Sequence, residues 1–204
     1  QYLDDTELTD KVARELANGA IIGWHQGRME FGPRALGARS ILASPLEAGM
    51  KERINSKVKR RESFRPFAPT VPEELAHHWF DLDRAFPYMT FTVYARGTAE
   101  ASAIRDSSHD TSVSRHPASA IPAVVHEDGS ARVQTVAKER MPRFHELLTR
   151  FGEQTGCPVL LNTSFNVRGE PIVCTPEEAY TRMLDAGLDF VVIGNCIVYL
   201  SKQQ

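Results

Sequence analysis

Residues 51–69 read KERINSKVKRRESFRPFAP, a basic run that ends abruptly in apolar residues and prolines. Its cations outnumber its two acids, Glu52 and Glu62, and are Lys51, Arg53, Lys57, Lys59, Arg60, Arg61 and Arg65. Proline fixes φ and keeps the preceding residue out of the helical region, so Phe64–Pro69 is predicted to be extended and at least half buried. A cation on such a segment needs an anionic partner, because an unpaired buried charge is costly. The stretch therefore predicts a phosphate or polyphosphate site whose pocket the rest of the chain completes.

The composition limits the class of protein. The chain has 204 residues, 42% of them hydrophobic, which suits one large domain with a substantial core. Its formal net charge of −2 argues against a protein that coats nucleic acid, so an anion site has to be local. We expect neither a membrane span nor a signal peptide, since no run of the sequence has the length and apolarity they need.

Cysteine and histidine usage predicts no metal site. Cys157, Cys174 and Cys196 fit no zinc spacing and are odd in number, which favours small buried thiols in a reducing cytoplasm. His77 and His78 are adjacent, so they point to different faces of a predicted helix and are best interpreted as surface residues. The first residue is glutamine rather than methionine, so we expect a processed protein or a domain of a longer one.

Helical and strand patterns alternate along the chain, which is typical of an α/β fold. The predicted helices are 6–18, 45–59, 72–80, 142–155 and 175–187. The predicted strands are 20–24, 40–43, 87–95, 159–161 and 171–174, with hairpins over 121–136 (turning at Asp128-Gly129) and 188–200. Residues 96–119 lack periodicity and are predicted to form a surface loop or a lid.

Two further segments have the residue types of a ligand site. Residues 26–40 hold three glycines and three arginines directly after a predicted strand, without the spacing of a P-loop or a dinucleotide fingerprint. There Arg28 is interpreted as solvent-facing, whereas Arg34 and Arg39 are interpreted as functional.

Residues 162–166, NTSFN, follow a buried strand and suit a ligand with both donors and acceptors, such as a carbamoyl group or a ribose, although an Asx-rich turn explains them equally simply. Arg132 and Gln134 share one face of a strand, which is either a pocket wall or its wet side.

Four motifs, spread over nearly the whole chain, resemble one family. They are residues 26–37 (QGRMEFGPRALG), 64–69 (FRPFAP), 128–136 (DGSARVQTV) and 161–172 (LNTSFNVRGEPI). Together they resemble the C-terminal domain of the NodU/CmcH-type O-carbamoyltransferases. The resemblance implies that residues 1–204 form a single YrdC-like domain, an α/β fold with a twisted mixed sheet, flanking helices and a concave basic surface.

The resemblance also implies a function. Such a domain binds ATP and carbamoyl phosphate and forms carbamoyl-adenylate, with release of pyrophosphate. An N-terminal, metal-carrying transferase domain then passes the carbamoyl group to an acceptor hydroxyl. Nothing in this chain resembles that second domain, so we expect this chain alone not to complete the transfer.

The implied site residues follow from the family's motifs. Its Lys-x-Arg element corresponds to residues 59–61 and its Ser-x-Asn element to residues 164–166, while Arg34, Arg65 and Arg132 stand where pocket cations are expected. The implied catalytic residues are Lys59, Arg65 and Arg34, and the implied set that binds ATP and carbamoyl phosphate is Arg34, Lys59, Arg61, Arg65, Arg132, Asn162, Ser164 and Asn166. The cations would offset charge on the phosphoryl oxygens, and Mg²⁺ would bridge the polyphosphate.

Two other functions remain open from the sequence. One is an RNA-binding module, which the near-neutral charge and the few aromatic residues argue against. The other is a non-catalytic interaction domain that depends on a partner. Neither the acceptor nor the oligomeric state follows from the sequence.

Overall fold

A seven-stranded mixed sheet, covered by helices on both faces, forms the centre of the computed structural model, which describes residues 1–97 and 117–200. The strands are β1 (Ile22–His25), β2 (Arg39–Ala43), β3 (Ala68–Pro72), β4 (Val93–Tyr94), β5 (Ser130–Ala131), β6 (Gln134–Val136), β7 (Leu160–Ser164), β8 (Phe190–Ile193) and β9 (Cys196–Tyr199). The helices are α1 (Asp5–Ala17), α2 (Met50–Arg53), α3 (Ala76–Trp79), α4 (Pro117–Ala120), α5 (Pro142–Thr155) and α6 (Pro176–Ala186). A π-helical turn, Ile54–Val58, continues α2, and a 3-10 turn, Glu73–Leu75, precedes α3.

The strand order is β6-β3-β7-β2-β1-β8-β9, and β4 pairs with β5 in a separate two-stranded ribbon. Strand β7 pairs antiparallel with both β2 and β3, whereas β3 pairs parallel with β6 and β1 pairs parallel with β8. The C-terminal end of β7 therefore lies between the end of the basic segment, which leads into β3, and the loop that leads into β2. This topology brings three segments distant in sequence to one place.

Local signals explain the long helices. Asp4 caps α1 by accepting a hydrogen bond from the Glu7 amide, and Thr175 and Glu178 form a capping box at the start of α6. Helix α5 begins with a proline and ends at Gly156, whose φ of +73° suits a glycine. Helices α1 and α5 pack on one face of the sheet, and α2, α3 and α6 pack on the other.

The structure overturns several predicted elements. Within 87–95 only Val93–Tyr94 is a strand, because Met89 has a φ of +53° that interrupts an extended chain. The predicted hairpin over 121–136 is wrong: residues 121–125 form turns, β5 pairs with β4, and β6 pairs with β3. Residues 171–174 form no strand. The helix expected over 45–59 begins only at Met50.

Burial also corrects two expectations. Phe64 is 71% exposed and residues 65 and 66 are exposed as well, so burial of the proline-rich segment begins only at Phe67. Of the thiols only that of Cys157 is buried, and burial raises its pKa to about 12. The loop predicted over 96–119 falls largely outside the described residues.

Among the helices of the described residues, none has the length and apolarity needed to cross a membrane. Nor do those residues bring together three His, Cys, Asp or Glu side chains suited to a metal ion.

Gly37 and Gly32 offer a matched test of packing in the loop that precedes β2. Their φ angles are +110° and +112°, but a Cβ on Gly37 would lie 2.4 Å from the ring of the buried Phe144, whereas a Cβ on Gly32 would meet nothing within 4 Å. We expect Gly32→Ala to cost about 1–2 kcal/mol from backbone strain alone, and Gly37→Ala a further 1–3 kcal/mol or so from overpacking. Urea denaturation measures both. Equal losses would contradict this account of the Gly37 contact.

Candidate anion-binding site

A small, polar cavity lies beside the end of β7, and we call it the arginine cavity. Its volume is about 110 Å³, and it is lined by residues 33–35 of the loop before β2, residues 66–68 before and in β3, residues 162–164 of β7, and the side chains of Arg61, Met89 and Arg132. Three of the described residues that line it are arginines and none is a carboxylate. The cavity therefore has the composition of a site for an anion.

Partial burial makes the positive charge of these arginines costly. Burial, and next the neighbouring Arg34, lowers the pKa of Arg132, while burial and next Arg65 lowers the pKa of Arg61. Both guanidinium groups remain cationic, because arginine ionises only far above neutral pH. A bound anion would offset the repulsion between these cations.

Two polar atoms of the cavity wall are buried without a hydrogen-bond partner among the described residues: Arg132 Nε and Asn162 Oδ1. The orientation of the Asn162 amide is fixed, since its Nδ2 donates to Ala35 O at 3.2 Å and to Gln134 Oε1 at 2.9 Å. Gln134 in turn donates from Nε2 to Leu36 O at 2.6 Å. The wall thus presents one unpaired donor and one unpaired acceptor, and leaving such groups unpaired is costly.

Lys59 lies directly behind this wall. It is only 3% exposed, and its ammonium donates to Ser164 O at 2.6 Å, Ser164 Oγ at 3.2 Å, Asn166 O at 3.0 Å and Asn166 Oδ1 at 2.9 Å. Burial, and next the charge of Arg61, lowers the pKa of Lys59 to about 7. The sequence-predicted Lys59, Ser164 and Asn166 are therefore brought together, with Ser164 at the cavity surface and the other two beneath it.

The π-helical turn positions Lys59. The Lys59 amide donates to Ile54 O at 2.8 Å, which is the five-residue spacing of a π-helix. The helix ends at Arg60, whose φ is +49°. Asn55, which is fully buried, holds the returning chain by donating to Ser63 O and Arg65 O and by accepting from Arg61 Nε at 2.7 Å. Sequence reasoning missed Asn55, although an uncharged polar residue within a basic run is a usable signal.

Two of the arginines singled out from the sequence lie outside the lining of the arginine cavity. Arg65 does not line the arginine cavity; its Nε pairs with Glu62 at 3.1 Å and half of its side chain is exposed. Arg39 does not line the arginine cavity either, and its functional interpretation stays a prediction. Its guanidinium is used in hydrogen bonds to the carbonyl oxygens of Gln26, Gly27, Ala38 and Cys174, so it fixes the loop before β2 rather than facing a ligand.

Residues 13–200 match the family model described as Carbamoyltransferase C-terminus. The chain belongs to this family. The match covers most of the chain and confirms the resemblance that the four motifs carried.

Members of the carbamoyltransferase family are similar over nearly all of this chain. It is 46% identical over 99% of its length to an uncharacterised protein of Synechocystis, 44% over 94% to nodulation protein NolO of Bradyrhizobium diazoefficiens, and 38% over 91% to the 3'-hydroxymethylcephem-O-carbamoyltransferase of Amycolatopsis lactamdurans. These matches cover 33%, 32% and 32% of the three relatives. The chain therefore spans about a third of the length of the curated relatives it matches.

Two solved structures share the fold. Full-length HypF, in its phosphate- and nucleotide-bound form, superposes with a TM-score of 0.60 at 16% identity, over 92% of this chain and 25% of HypF. YciO of E. coli gives a TM-score of 0.55 at 15% identity, over 96% of this chain and 88% of YciO. At this identity the likeness concerns the fold alone, and it confirms the predicted YrdC-like mixed α/β architecture.

Lys59 predicts a pH dependence of stability. Because its folded pKa of about 7 lies below the ordinary lysine value of 10.5, the unfolded chain binds more protons between these pH values. The free energy of unfolding should therefore rise with pH across that window, by up to about 1.4 kcal/mol per pH unit, and the contribution of Lys59 should not change with pH below it. Denaturation of wild type and Lys59→Met from pH 6 to 10 measures this contribution as a difference. Parallel curves would show that the pKa of Lys59 is not lowered.

Proposed function

We propose that the arginine cavity binds the carbamoyl and phosphoryl groups from which carbamoyl-adenylate is made, using ATP and carbamoyl phosphate. Membership of the carbamoyltransferase family supports this proposal, as does the nucleotide- and phosphate-bound HypF, which shares the fold. In the longer relatives the remaining two thirds of the chain would transfer the carbamoyl group to an acceptor hydroxyl.

The unpaired donor and acceptor carry the proposal. A carbamoyl group has both an oxygen that accepts and an NH₂ group that donates, so it can satisfy Arg132 Nε and Asn162 Oδ1 together. A phosphate alone would leave the asparagine oxygen without a donor unless it were protonated. The cavity volume of about 110 Å³ is well below the roughly 300–1,000 Å³ of pockets that enclose a drug-sized ligand. It therefore suits the reacting groups, with the nucleoside lying over its mouth.

Formation of carbamoyl-adenylate takes two steps. Hydrolysis of carbamoyl phosphate breaks its phosphate linkage and gives carbamate and inorganic phosphate. A carbamate oxygen then attacks the α-phosphorus of ATP, the bond to the β-phosphate oxygen breaks, and pyrophosphate leaves. Charge develops on the phosphoryl oxygens during this displacement, and fixed cations at the cavity wall lower its barrier. We assign that role to Arg34, Arg61 and Arg132, with Arg65 as a more distant cation that acts through Arg61.

Lys59 acts from behind the wall in this proposal. Its ammonium orders Ser164 and Asn166 and adds positive charge close to the cavity without lining it. Since its pKa is about 7, a bound polyphosphate would favour the protonated form, so binding and protonation support each other.

Mg²⁺ would be held by the nucleotide rather than by this chain. The described lining of the arginine cavity contains no carboxylate, which is the usual protein ligand for Mg²⁺. The side chains of the lining thus suit a polyphosphate that already carries a Mg²⁺ ion coordinated by its own oxygens and by water.

Arg132→Met is the most direct test. Its Nε has no partner among the described residues, so the substitution breaks no hydrogen bond between them and that atom and should leave the melting temperature within a few degrees. Release of pyrophosphate from ATP and carbamoyl phosphate should fall by roughly 10²–10³-fold, the usual cost of losing one preorganised donor. Inorganic phosphate and pyrophosphate are assayed together.

Arg65→Met is the matched control, because Arg65 does not line the cavity. We expect it to reduce pyrophosphate release by less than about tenfold, in line with a partly exposed charge. Equal losses from the two variants would contradict the placement of the site. Absence of calorimetric heat with both substrates for wild type would favour a non-catalytic module, and salt-sensitive RNA binding without ATP turnover would favour an RNA-binding one.

A further inference from the structure

A second and larger cavity lies on the other side of the loop before β2. Its volume is about 620 Å³, within the range of sites that enclose a small organic ligand, and it shares no lining residue with the arginine cavity. It lies at the N-terminal ends of α1 and α5, against residues 26–28 and 37–38 of the loop. We call it the tryptophan cavity.

Two aromatic residues contribute to its wall. The fully buried Trp24 and Phe144 line it with ring centroids 6.4 Å apart and planes tilted by 34°, and Met141 and Pro142 extend the apolar surface. Flat rings bury a large apolar area and suit a flat apolar ligand body.

The charged residues of the lining leave an excess of positive charge. Its two acids are both paired: Asp5 with Arg143 at 2.6 Å, and Glu146 with Arg150 at 2.8 Å. Three other cations of the lining, Arg28, Lys138 and Arg140, are exposed and form no ion pair with any described residue. The cavity therefore joins an apolar wall to a cationic rim.

The lining also contains two kinds of hydrogen-bond donor that lack a side-chain acceptor among the described residues. Trp24 Nε1 is buried and has no acceptor among the described residues, although the side chain is 0% exposed. Helix α5, fourteen residues long, begins at Pro142 in the lining and has no side-chain cap on its first-turn amides. Free amides at a helix N-terminus favour an anion, and a buried indole N–H without an acceptor is costly.

We propose that the tryptophan cavity binds an organic anion that joins a flat apolar body to a carboxylate or phosphate group. The body packs against Trp24 and Phe144. The anionic group accepts hydrogen bonds from the indole and from the first turn of α5, and it meets the charges of Arg28, Lys138 and Arg140. This site is separate from the arginine cavity and does not depend on the function proposed for it.

The chain's two tryptophans, Trp24 and Trp79, make the test simple. We use 2-naphthoate as the probe, with 2-naphthylmethanol as its neutral counterpart, at low ionic strength, and follow the two indole Nε1–H signals by ¹H–¹⁵N NMR. Trp24→Phe assigns the signals. We expect naphthoate to shift the Trp24 signal saturably, to leave the Trp79 signal in place, and to bind at least tenfold more tightly than the alcohol. No shift at Trp24, or equal binding of the two probes, would overturn the proposal.

Charge variants separate a specific site from general adhesion. The double variant Lys138→Ala/Arg140→Ala should weaken naphthoate binding about tenfold, and Arg140→Lys alone should retain most of it, because both side chains are exposed and lie at the rim. Arg132→Met, in the arginine cavity, should bind naphthoate like wild type. Unchanged binding in the double variant, or equal loss in Arg132→Met, would refute a site at the tryptophan cavity.

Discussion

The ammonium group of Lys59 is the contact on which the candidate site depends. It joins the end of the basic segment to the end of β7 through four oxygen atoms of Ser164 and Asn166, residues more than a hundred positions away in sequence. Ser164 Oγ also donates to Asn166 Oδ1 at 2.6 Å, and Asn166 Nδ2 donates to Glu170 O at 2.8 Å. A buried ammonium is tolerated only when its donors are satisfied, so the lysine and the strand end stabilise each other. That contact acts together with Asn55 and with the pairing of β3 and β7 to fix the backbone that carries Arg61 relative to Asn162.

Holding arginines side by side in the arginine cavity has an electrostatic cost. Arg61 and Arg132 are held partly buried, each close to another cation, and their lowered pKa values express that cost. The protein compensates through contacts on the rest of each group. Arg61 is held by Asn55 and lies over the ring of Phe67 at 4.9 Å, whereas Arg132 Nε has no partner in the part of the chain that the structure describes. Arg132 Nε is therefore the donor that has most to gain from a hydrogen bond to a ligand.

Strong local signals in the sequence predicted the helices, but they did not predict which strands pair with each other. Helix α5 was predictable because proline opens it and Gly156 closes it, and the hairpin of β8 and β9 was predictable from Gly194-Asn195. The alternation over 87–95 misled because Tyr88 and Phe91 are each 60% exposed, so the pattern does not mark a buried face. Asp128-Gly129 does turn the chain, but residues 121–125 before it form no strand, and β5 and β6 after it belong to different sheets. No local pattern encodes that choice of partner.

The same limit applies to side chains, as Arg34 and Arg39 show. Both stand in the glycine-rich loop and looked equivalent in sequence. In the structure the Glu30 carboxylate accepts hydrogen bonds from the amides of Leu36, Ala38 and Arg39, although burial raises its pKa. These three hydrogen bonds and those of the Arg39 guanidinium fix the conformation of the loop. In that conformation Arg34 lines the arginine cavity, whereas residues 37 and 38 line the tryptophan cavity. One partly buried carboxylate and one buried arginine therefore give the loop a defined shape with two different surfaces. Since Glu30 and Arg39 form hydrogen bonds within the loop, the loop residues available to a ligand are those that take no part in these bonds, such as Arg34.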